Sequence, residues 1–156
     1  MTKTNAMRAL DTAKIPYTPY FYKPDESDLS GIHVAEQIGL PPEFLFKTLI
    51  ARGEKRGPLV FCLPVNMELN LKKCAVAAGE KRVELIHVKE LLPLTGYLRG
   101  GCSPIGMKKK FPTWVDESAE LYEKIVISAG IRGCQLLLNR KQLLEFIEAS
   151  LCDLTV

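Results

Sequence analysis

The chain has 156 residues, of which 47% are hydrophobic and 25% are charged, as is typical of one soluble globular domain. Its 21 basic and 18 acidic residues leave a net charge of +3, so composition alone does not indicate a nucleic-acid-binding protein. No apolar run approaches the length of a membrane span, and the N-terminus lacks the apolar segment of a signal peptide. We therefore expect one domain over residues 1–156, without membrane association.

The five cysteines and two histidines do not form a metal-binding pattern. No C-x-x-C pair occurs, and the spacing favours neither a zinc site nor a disulfide framework. Cys62 lies in an apolar strand pattern and Cys74 on an apolar helix face, so both are expected to be buried thiols. His33 and His87 are expected at the surface or as helix caps. We predict no metal, no other cofactor, and a reduced, cytoplasmic setting.

In the first half of the chain, helix and strand signals follow one another. The pattern predicts a helix over 4–13, with Ala6, Leu10 and Ala13 at helical spacing, and a strand over 17–22 in which Pro19 favours an edge position. Further elements are predicted as a helix capped by Ser30 and ended by Gly39, and strands over 46–52 and 59–65. The last of these is continuously apolar and is expected at the centre of a sheet.

In the second half, Asn70 caps a helix that Gly79 ends, with Leu71, Cys74, Ala75 and Ala78 on one face. A short helical segment over 87–92 and strands over 113–116, 125–129 and 134–138 follow. Asn139 opens a last helix, which is expected to bury Leu143, Phe146, Ile147 and Leu151. Because strands and helices do not alternate regularly, we predict an α+β fold with a mixed, largely antiparallel sheet that curls toward a barrel.

The segment 95–110, T-G-Y-L-R-G-G-C-S-P-I-G-M-K-K-K, is the first candidate for chemistry. It holds four glycines, four basic residues and no acid. Consecutive backbone N–H groups in such a loop can form an anion-binding nest, so the segment suits an anionic or ester-bearing substrate. The alternative is a solvated surface turn followed by a charge run. Cys102 is a candidate nucleophile that the neighbouring lysines would activate, although no nucleophile motif surrounds it.

Two further features accompany this loop. Lys47 enters the apolar strand F-L-F-K-T-L-I, where desolvating a lone cation is costly; it is either functional or a strand-edge lysine that extends to solvent. The segment 127–133, I-S-A-G-I-R-G, offers small residues and Arg132 after an apolar strand. Beside the first loop it would complete a pocket of backbone donors, and otherwise it is an ordinary hairpin turn.

Together these pieces resemble the YbaK family of aminoacyl-tRNA deacylases, which is related to the editing domain of bacterial prolyl-tRNA synthetase. The matching pieces, in order, are F-K-T-L at Lys47, L-K-K-x-A at Lys72, the segment 95–110, V-D-E-S at Val115, and the segment 127–133. The resemblance implies a free-standing factor that removes cysteine from Cys-tRNA(Pro), and from Cys-tRNA more broadly. Its implied partners are aminoacyl-tRNA and, transiently, prolyl-tRNA synthetase.

The resemblance also implies a mechanism in which the substrate thiol attacks its own ester and the protein supplies no nucleophile. Backbone N–H groups at Gly100 and Gly101 would stabilise the oxyanion, and Lys47 would contact the acylated end of the tRNA. The implied substrate-binding residues are Tyr22, Ser103, Pro104, Asp116, Ser128 and Gly130. The implied tRNA-binding residues are Lys108, Lys109, Lys110 and Arg132.

The chain departs from the family pattern at Ala129, where the second loop usually carries glycine. The added methyl group either narrows the pocket or has no effect. Relatives carry varied apolar residues at the position of Cys102, which weakens its case as a nucleophile. Two alternative functions remain open: a deacylase for Ala- or Ser-tRNA, and a non-catalytic adaptor that binds tRNA or a synthetase.

Overall fold

A computed structural model describes residues 2–156. These residues form eight strands, five α-helices and two 3-10 helices, at 42–44 and 117–121. The helices are α1 (Asn5–Thr12), α2 (Gly31–Ile38), α3 (Leu71–Ala78), α4 (Val88–Thr95) and α5 (Arg140–Phe146). The strands are β1 (Tyr17–Phe21), β2 (Phe46–Gly53), β3 (Gly57–Pro64), β4 (Val83–Leu85), β5 (Thr113–Asp116), β6 (Lys124–Ser128), β7 (Cys134–Asn139) and β8 (Ser150–Cys152). The predicted α+β class is confirmed.

Over the described residues, the strands divide into two sheets. One has the order β1-β7-β6, and the other has the order β4-β2-β3-β5-β8. Strand β5 pairs in parallel with β3 and β8, while the remaining strand pairs are antiparallel, so the sheets are mixed and largely antiparallel as expected. A bridge between Leu45 and Val126 joins the sheets at one corner. The strands therefore curl without closing into a barrel.

The strand predicted at a sheet edge lies at an edge, and the strand predicted at a sheet centre lies between two others. Strand β1, which carries Pro19, pairs only with β7, since a residue without an N–H is tolerated at an edge. Strand β3 lies between β2 and β5, and its residues from Leu59 onward are buried. Its two faces contribute to two apolar cores, which explains why its sequence does not alternate.

The predicted helix caps are confirmed. The Ser30 side chain accepts a hydrogen bond from the His33 N–H, and the Asn70 side chain accepts one from Lys73. Gly39 and Gly79 end their helices with φ of 70°, a conformation that glycine adopts without steric cost. None of the helices within residues 2–156 has the length and apolar character that crossing a membrane requires.

Several expectations about element ends and burial were wrong. Helix α1 ends at Thr12, one residue before the predicted end at Ala13. Leu151 belongs to β8 rather than to the last helix, because α5 ends after Phe146 and the chain turns back to pair with β5. The short strands β4 and β8 were missed, since three residues carry too little periodicity to be recognised.

Candidate active site

A cavity of about 510 Å³ opens between the start of β2, the end of β6, the start of β7 and the loop that follows α4. That volume is in the range of small-molecule binding sites. Most of its wall is apolar, and its polar lining comes from Ser30, Lys47, Thr48, His87, Arg99, Ser128 and Gln135. Every lining residue lies in the described part of the chain, and none of them is Asp or Glu. The site is therefore positively charged.

Lys47 lies on β2 opposite Leu63, and its half-buried side chain lines the cavity. Burial lowers its pKa, while the more distant Glu68 carboxylate acts in the opposite direction. In residues 2–156, no carboxylate oxygen lies within 4 Å of Lys47 Nζ. A partly desolvated, unpaired ammonium group is ready to interact with an anionic or carbonyl oxygen of a ligand.

The two glycine-containing loops pack against each other, which is one of the two alternatives that the sequence left open. A Cβ atom added to Gly101 would lie 3.1 Å from the backbone carbonyl carbon of Ile131 and 3.1 Å from the backbone nitrogen of Arg132. Gly130, with φ of 98°, approaches the ring of Tyr97, where an added Cβ would be 2.9 Å from Cε1. Both glycines therefore permit the close approach of the loops that closes this end of the cavity.

Gly100 and Gly101 differ in whether they line the cavity. Gly100 lines the cavity with φ of 85°. Gly101 is buried outside the lining, and its N–H donates to the carbonyl oxygen of Leu98 at 2.9 Å. The turn thus already uses the Gly101 N–H, and Gly100 is the one of these two glycines that lines the cavity.

Ser128 and Gln135 reach the cavity from the three-stranded sheet. They are direct cross-strand partners in β6 and β7, so both side chains project from the same face. The Ser128 hydroxyl also accepts a hydrogen bond from Gly130 N–H at 3.1 Å, which fixes the second loop. Sequence reasoning found Ser128 but missed Gln135, because a single polar residue in an apolar strand carries no motif.

Five of the six expected substrate-binding residues lie outside the cavity lining, namely Gly130, which packs against Tyr97, and the four described next. The buried Asp116 carboxylate accepts hydrogen bonds from the backbone N–H groups of Ser118 and Leu154, so it secures the C-terminal segment. Ser103 is fully buried and accepts from Ile105 N–H within its own turn. Pro104 lines a separate cavity of about 210 Å³. Tyr22 packs beside the apolar cluster under α2.

The expected tRNA-binding cations also lie outside the lining of the larger cavity. Lys109 and Lys110 border the 210 Å³ cavity, and Lys110 is paired with Glu148. Lys108 is exposed and packs along Gly96. Arg132 binds Glu26 at 2.8 Å. These charges are distributed over the surface beyond the cavity.

Arg99 and His87 line the larger cavity and were not singled out as site residues. Arg99 is exposed, and none of the salt bridges within residues 2–156 includes it. His87 immediately precedes α4, where its N–H donates to Glu90, in agreement with the expected capping position. The position of Arg99 beside Gly100 in the first loop could have indicated its role, but the run of three lysines that follows was taken as the cationic feature of this loop.

Cys102 lines the cavity but its thiol is not activated. The residue is 8% exposed, and burial raises its pKa to about 12, the reverse of the activation by lysines that we considered. At neutral pH the thiol is protonated, so Cys102 contributes shape rather than a nucleophile.

Ala129 is fully buried in the same apolar core and does not line the cavity, so its methyl group leaves the cavity's width unchanged.

Comparisons with known proteins agree with this fold. A family model of the aminoacyl-tRNA editing domain matches residues 30–146. The chain belongs to the aminoacyl-tRNA editing domain family. A protein of Enterococcus faecalis named for Cys-tRNA(Pro)/Cys-tRNA(Cys) deacylation, EbsC, is 47% identical over 153 residues, which are 98% of this chain and 93% of that protein.

Two other matches are more distant. A proline–tRNA ligase of Thermodesulfovibrio yellowstonii is 33% identical over 89 residues, which cover 57% of this chain and 15% of the ligase. A crystal structure described as a trans-editing enzyme for prolyl-tRNA synthetase has a TM-score of 0.82 at 23% identity, with 99% of both chains covered. The latter likeness establishes the shared fold.

Proposed function

We propose that this protein is a deacylase that removes cysteine from Cys-tRNA(Pro), and that it also acts on Cys-tRNA(Cys). The near full-length identity of 47% to a protein named for that activity carries the proposal. The cavity supports it, because its volume of about 510 Å³ suits an aminoacyl group and its cations suit an ester and its flanking phosphate. Editing is needed because a pocket for proline cannot strongly reject an amino acid of similar size.

In the proposed reaction, the substrate sulfur attacks the carbonyl carbon of its own ester. The carbon–sulfur bond forms, the bond from that carbon to the ribose oxygen breaks, and the thiol proton ends on the ribose oxygen. The products are a cyclic thiolactone and tRNA with a free terminal hydroxyl. The protein's task is to hold thiol and carbonyl together and to stabilise the oxyanion.

Lys47 and Gly100 are the groups we assign to the oxyanion and the acylated end. Both line the cavity, and the Lys47 ammonium has no carboxylate partner there. Ser128 lines the aminoacyl part of the pocket. Gly101 and Gly130 support the site by allowing the loops to meet. Tyr22 and Ser103 support it through hydrogen bonds that fix the backbone of Gly133 and Ile105 in these loops.

The body of the tRNA would meet the exposed cations outside the cavity. Arg99 at the cavity, with Lys108 and Lys109 further along the same loop, offers positive charge to successive phosphates. We include in the proposal a transient complex with prolyl-tRNA synthetase, supported by the match to a proline–tRNA ligase. Such an enzyme would act in the cytoplasm, where translation takes place and where the five free thiols remain reduced.

Single-turnover deacylation tests the proposal directly. Cys-tRNA(Pro), Ala-tRNA(Pro) and Ser-tRNA are each incubated with excess protein, and thiolactone is trapped as the product. We expect rapid loss of cysteine alone, with thiolactone detected. Hydrolysis of alanine or serine instead would assign a different editing specificity, and binding of Cys-tRNA without turnover would indicate an adaptor. Lys47→Met should lose this activity, and Lys124→Met, at an exposed position on β6, should keep it as the matched control.

A further inference from the structure

Gln135 is a buried polar residue whose hydrogen bonding is incomplete within the fold. Its side chain lines the cavity on β7, directly across from Ser128, and the residue is only 5% exposed. Its Oε1 atom is fully buried and has no hydrogen-bond partner among residues 2–156. Leaving such an acceptor unpaired is costly, and unpaired buried groups in native proteins call for an explanation.

The position of Gln135 in β7 does not require a polar side chain for folding. Cys134, Leu136 and Leu138 alternate into the main core, and Leu137, on the same face as Gln135, packs in the apolar cluster under α2. An apolar residue would satisfy this face at lower cost. The unpaired carboxamide therefore indicates a partner that arrives with the ligand.

The charges of the cavity identify the part of the ligand that needs this acceptor. Lys47 and Arg99 supply donors for the carbonyl and phosphate oxygens, and no lining residue is Asp or Glu. An aminoacyl ester also carries a donor, its α-amino group, which these cations cannot bind. Among the acceptors of the lining side chains, the carboxamide oxygen of Gln135 is buried and has no partner among residues 2–156, so it is available to receive this donor.

We propose that Gln135 positions the substrate by turning its carboxamide toward the cavity, so that Oε1, which is buried and unpaired in the free protein, accepts a hydrogen bond from the α-amino group of the aminoacyl ester. This inference rests on the proposed function. Holding the amino group beside Ser128 orients the other substituents on the same carbon atom, so that the side-chain sulfur faces its own carbonyl. Gln135 is thus a positioning residue, which acts on the reacting atoms through the geometry of the substrate.

The test is a cycle that removes each partner in turn. Gln135→Met removes the carboxamide at similar length, and 3-mercaptopropionyl-tRNA(Pro) lacks the amino group but keeps the thiol and the ester. We expect Gln135→Met to lower kcat/KM for Cys-tRNA(Pro) by about tenfold, and to change it less than about twofold for the desamino substrate. Equal losses on both substrates would overturn the proposal, since a structural defect would not distinguish them.

Two further measurements keep the proposal testable independently of turnover. The dissociation constants of 3′-cysteinylamido-adenosine and its desamino counterpart, measured by calorimetry, form the same cycle with unreactive ligands. If wild-type protein fails to deacylate Cys-tRNA(Pro), the proposed function fails, while equal loss of affinity for both ligands in Gln135→Met overturns the role of Gln135. Gln135→Leu gives the same cycle if the methionine variant does not fold.

The fold itself provides the last readout. Because Oε1 is unpaired in the free protein, Gln135→Met is expected to leave the Tm unchanged or to raise it. A marked fall in Tm would show that the carboxamide has a partner within the fold and would overturn the proposal. Gln135→Glu keeps an acceptor at the same position and is expected to restore discrimination between the cysteinyl and desamino ligands.

Discussion

Arg132 donates a hydrogen bond from Nε to the carbonyl oxygen of Arg99 at 2.8 Å, which joins the two glycine-containing loops at the end of the cavity. A second contact, from Arg132 to the Glu26 carboxylate at 2.8 Å, connects the same side chain to the acidic segment before α2. Both contacts use the guanidinium that the sequence led us to assign to tRNA phosphates. In the free protein this side chain organises the loops.

We therefore expect Arg132→Ala to affect catalysis more than tRNA attraction. Loss of the contact to Arg99 should displace the backbone beside Gly100 and lower kcat by roughly 10- to 100-fold. The salt dependence of KM should remain close to that of the wild type, because no phosphate contact is lost. Lys109→Ala is the comparison variant, for which we expect an unchanged kcat and a weaker dependence of KM on salt. The same pattern in Arg132→Ala would instead support direct phosphate binding.

Lys47→Met should lower deacylation by about 100-fold or more, because it removes the unpaired charge that faces the ester. The variant should also unfold at a higher temperature at pH 7. Burial lowers the pKa of Lys47, so the unfolded chain binds this proton more tightly than the folded chain does. The cost of keeping Lys47 charged therefore falls as the pH rises through the folded-state pKa.

Thermal unfolding measured against pH checks the origin of that stabilisation. The Tm difference between Lys47→Met and wild type should shrink as the pH approaches the ordinary lysine value of 10.5. A difference that stays constant with pH would contradict a desolvated ammonium group. Lys124→Met, with an exposed side chain, should change neither the Tm nor the rate.

Cys102→Ala should retain activity within about threefold, since the protonated thiol plays no chemical part. The substitution removes a buried sulfur atom and should cost on the order of 1 kcal/mol in the free energy of unfolding. In the native protein, iodoacetamide at pH 8 should leave Cys102 unmodified and label the more exposed Cys152. A loss of activity far beyond threefold in a folded Cys102→Ala variant would restore Cys102 as a nucleophile.

Gly101→Ala should abolish activity while the chain still folds. The new methyl group would lie 3.1 Å from the backbone of Ile131 and Arg132, which cannot move away as a flexible side chain would. Separating the loops should cost about 1–3 kcal/mol of stability. Gly79→Ala is the matched control, because its φ of 70° costs about 1–2 kcal/mol although no atom lies within 4 Å of the added Cβ. We expect the two variants to lose a similar amount of Tm, and only Gly79→Ala to keep its activity.

Local chemistry accounts for what was predicted correctly. The caps at Ser30 and Asn70 and the glycines that end α2 and α3 depend on residues a few positions apart, so the sequence alone identifies them. The edge position of β1 follows from Pro19, which lacks an N–H group. By contrast, β8 forms only because the chain after α5 returns to β5, a pairing between segments more than 30 positions apart.

Among the site residues, too, short local motifs were recognised from the sequence, whereas contacts between distant segments were not. The ordered motifs around Lys47 and the two loops indicated the editing family, because each motif is a short stretch of adjacent residues. Whether Asp116 faces a ligand or a backbone N–H group depends on where Leu154 lies, and that is decided by the packing of the C-terminal segment.

The sequence by itself determined the class of fold, the helix caps, the family, and the presence of two glycine-containing loops, while their close approach is a result of the tertiary structure. Only the tertiary structure decided that Arg99 and Gln135 line the cavity, that Arg132 joins the loops, and that Cys102 is protonated. The physical reason is that desolvation, hydrogen-bond partners and electrostatic surroundings are set by atoms distant in the chain. The type of a residue limits the chemical roles that it can have, and its neighbours in space decide which of those roles it has.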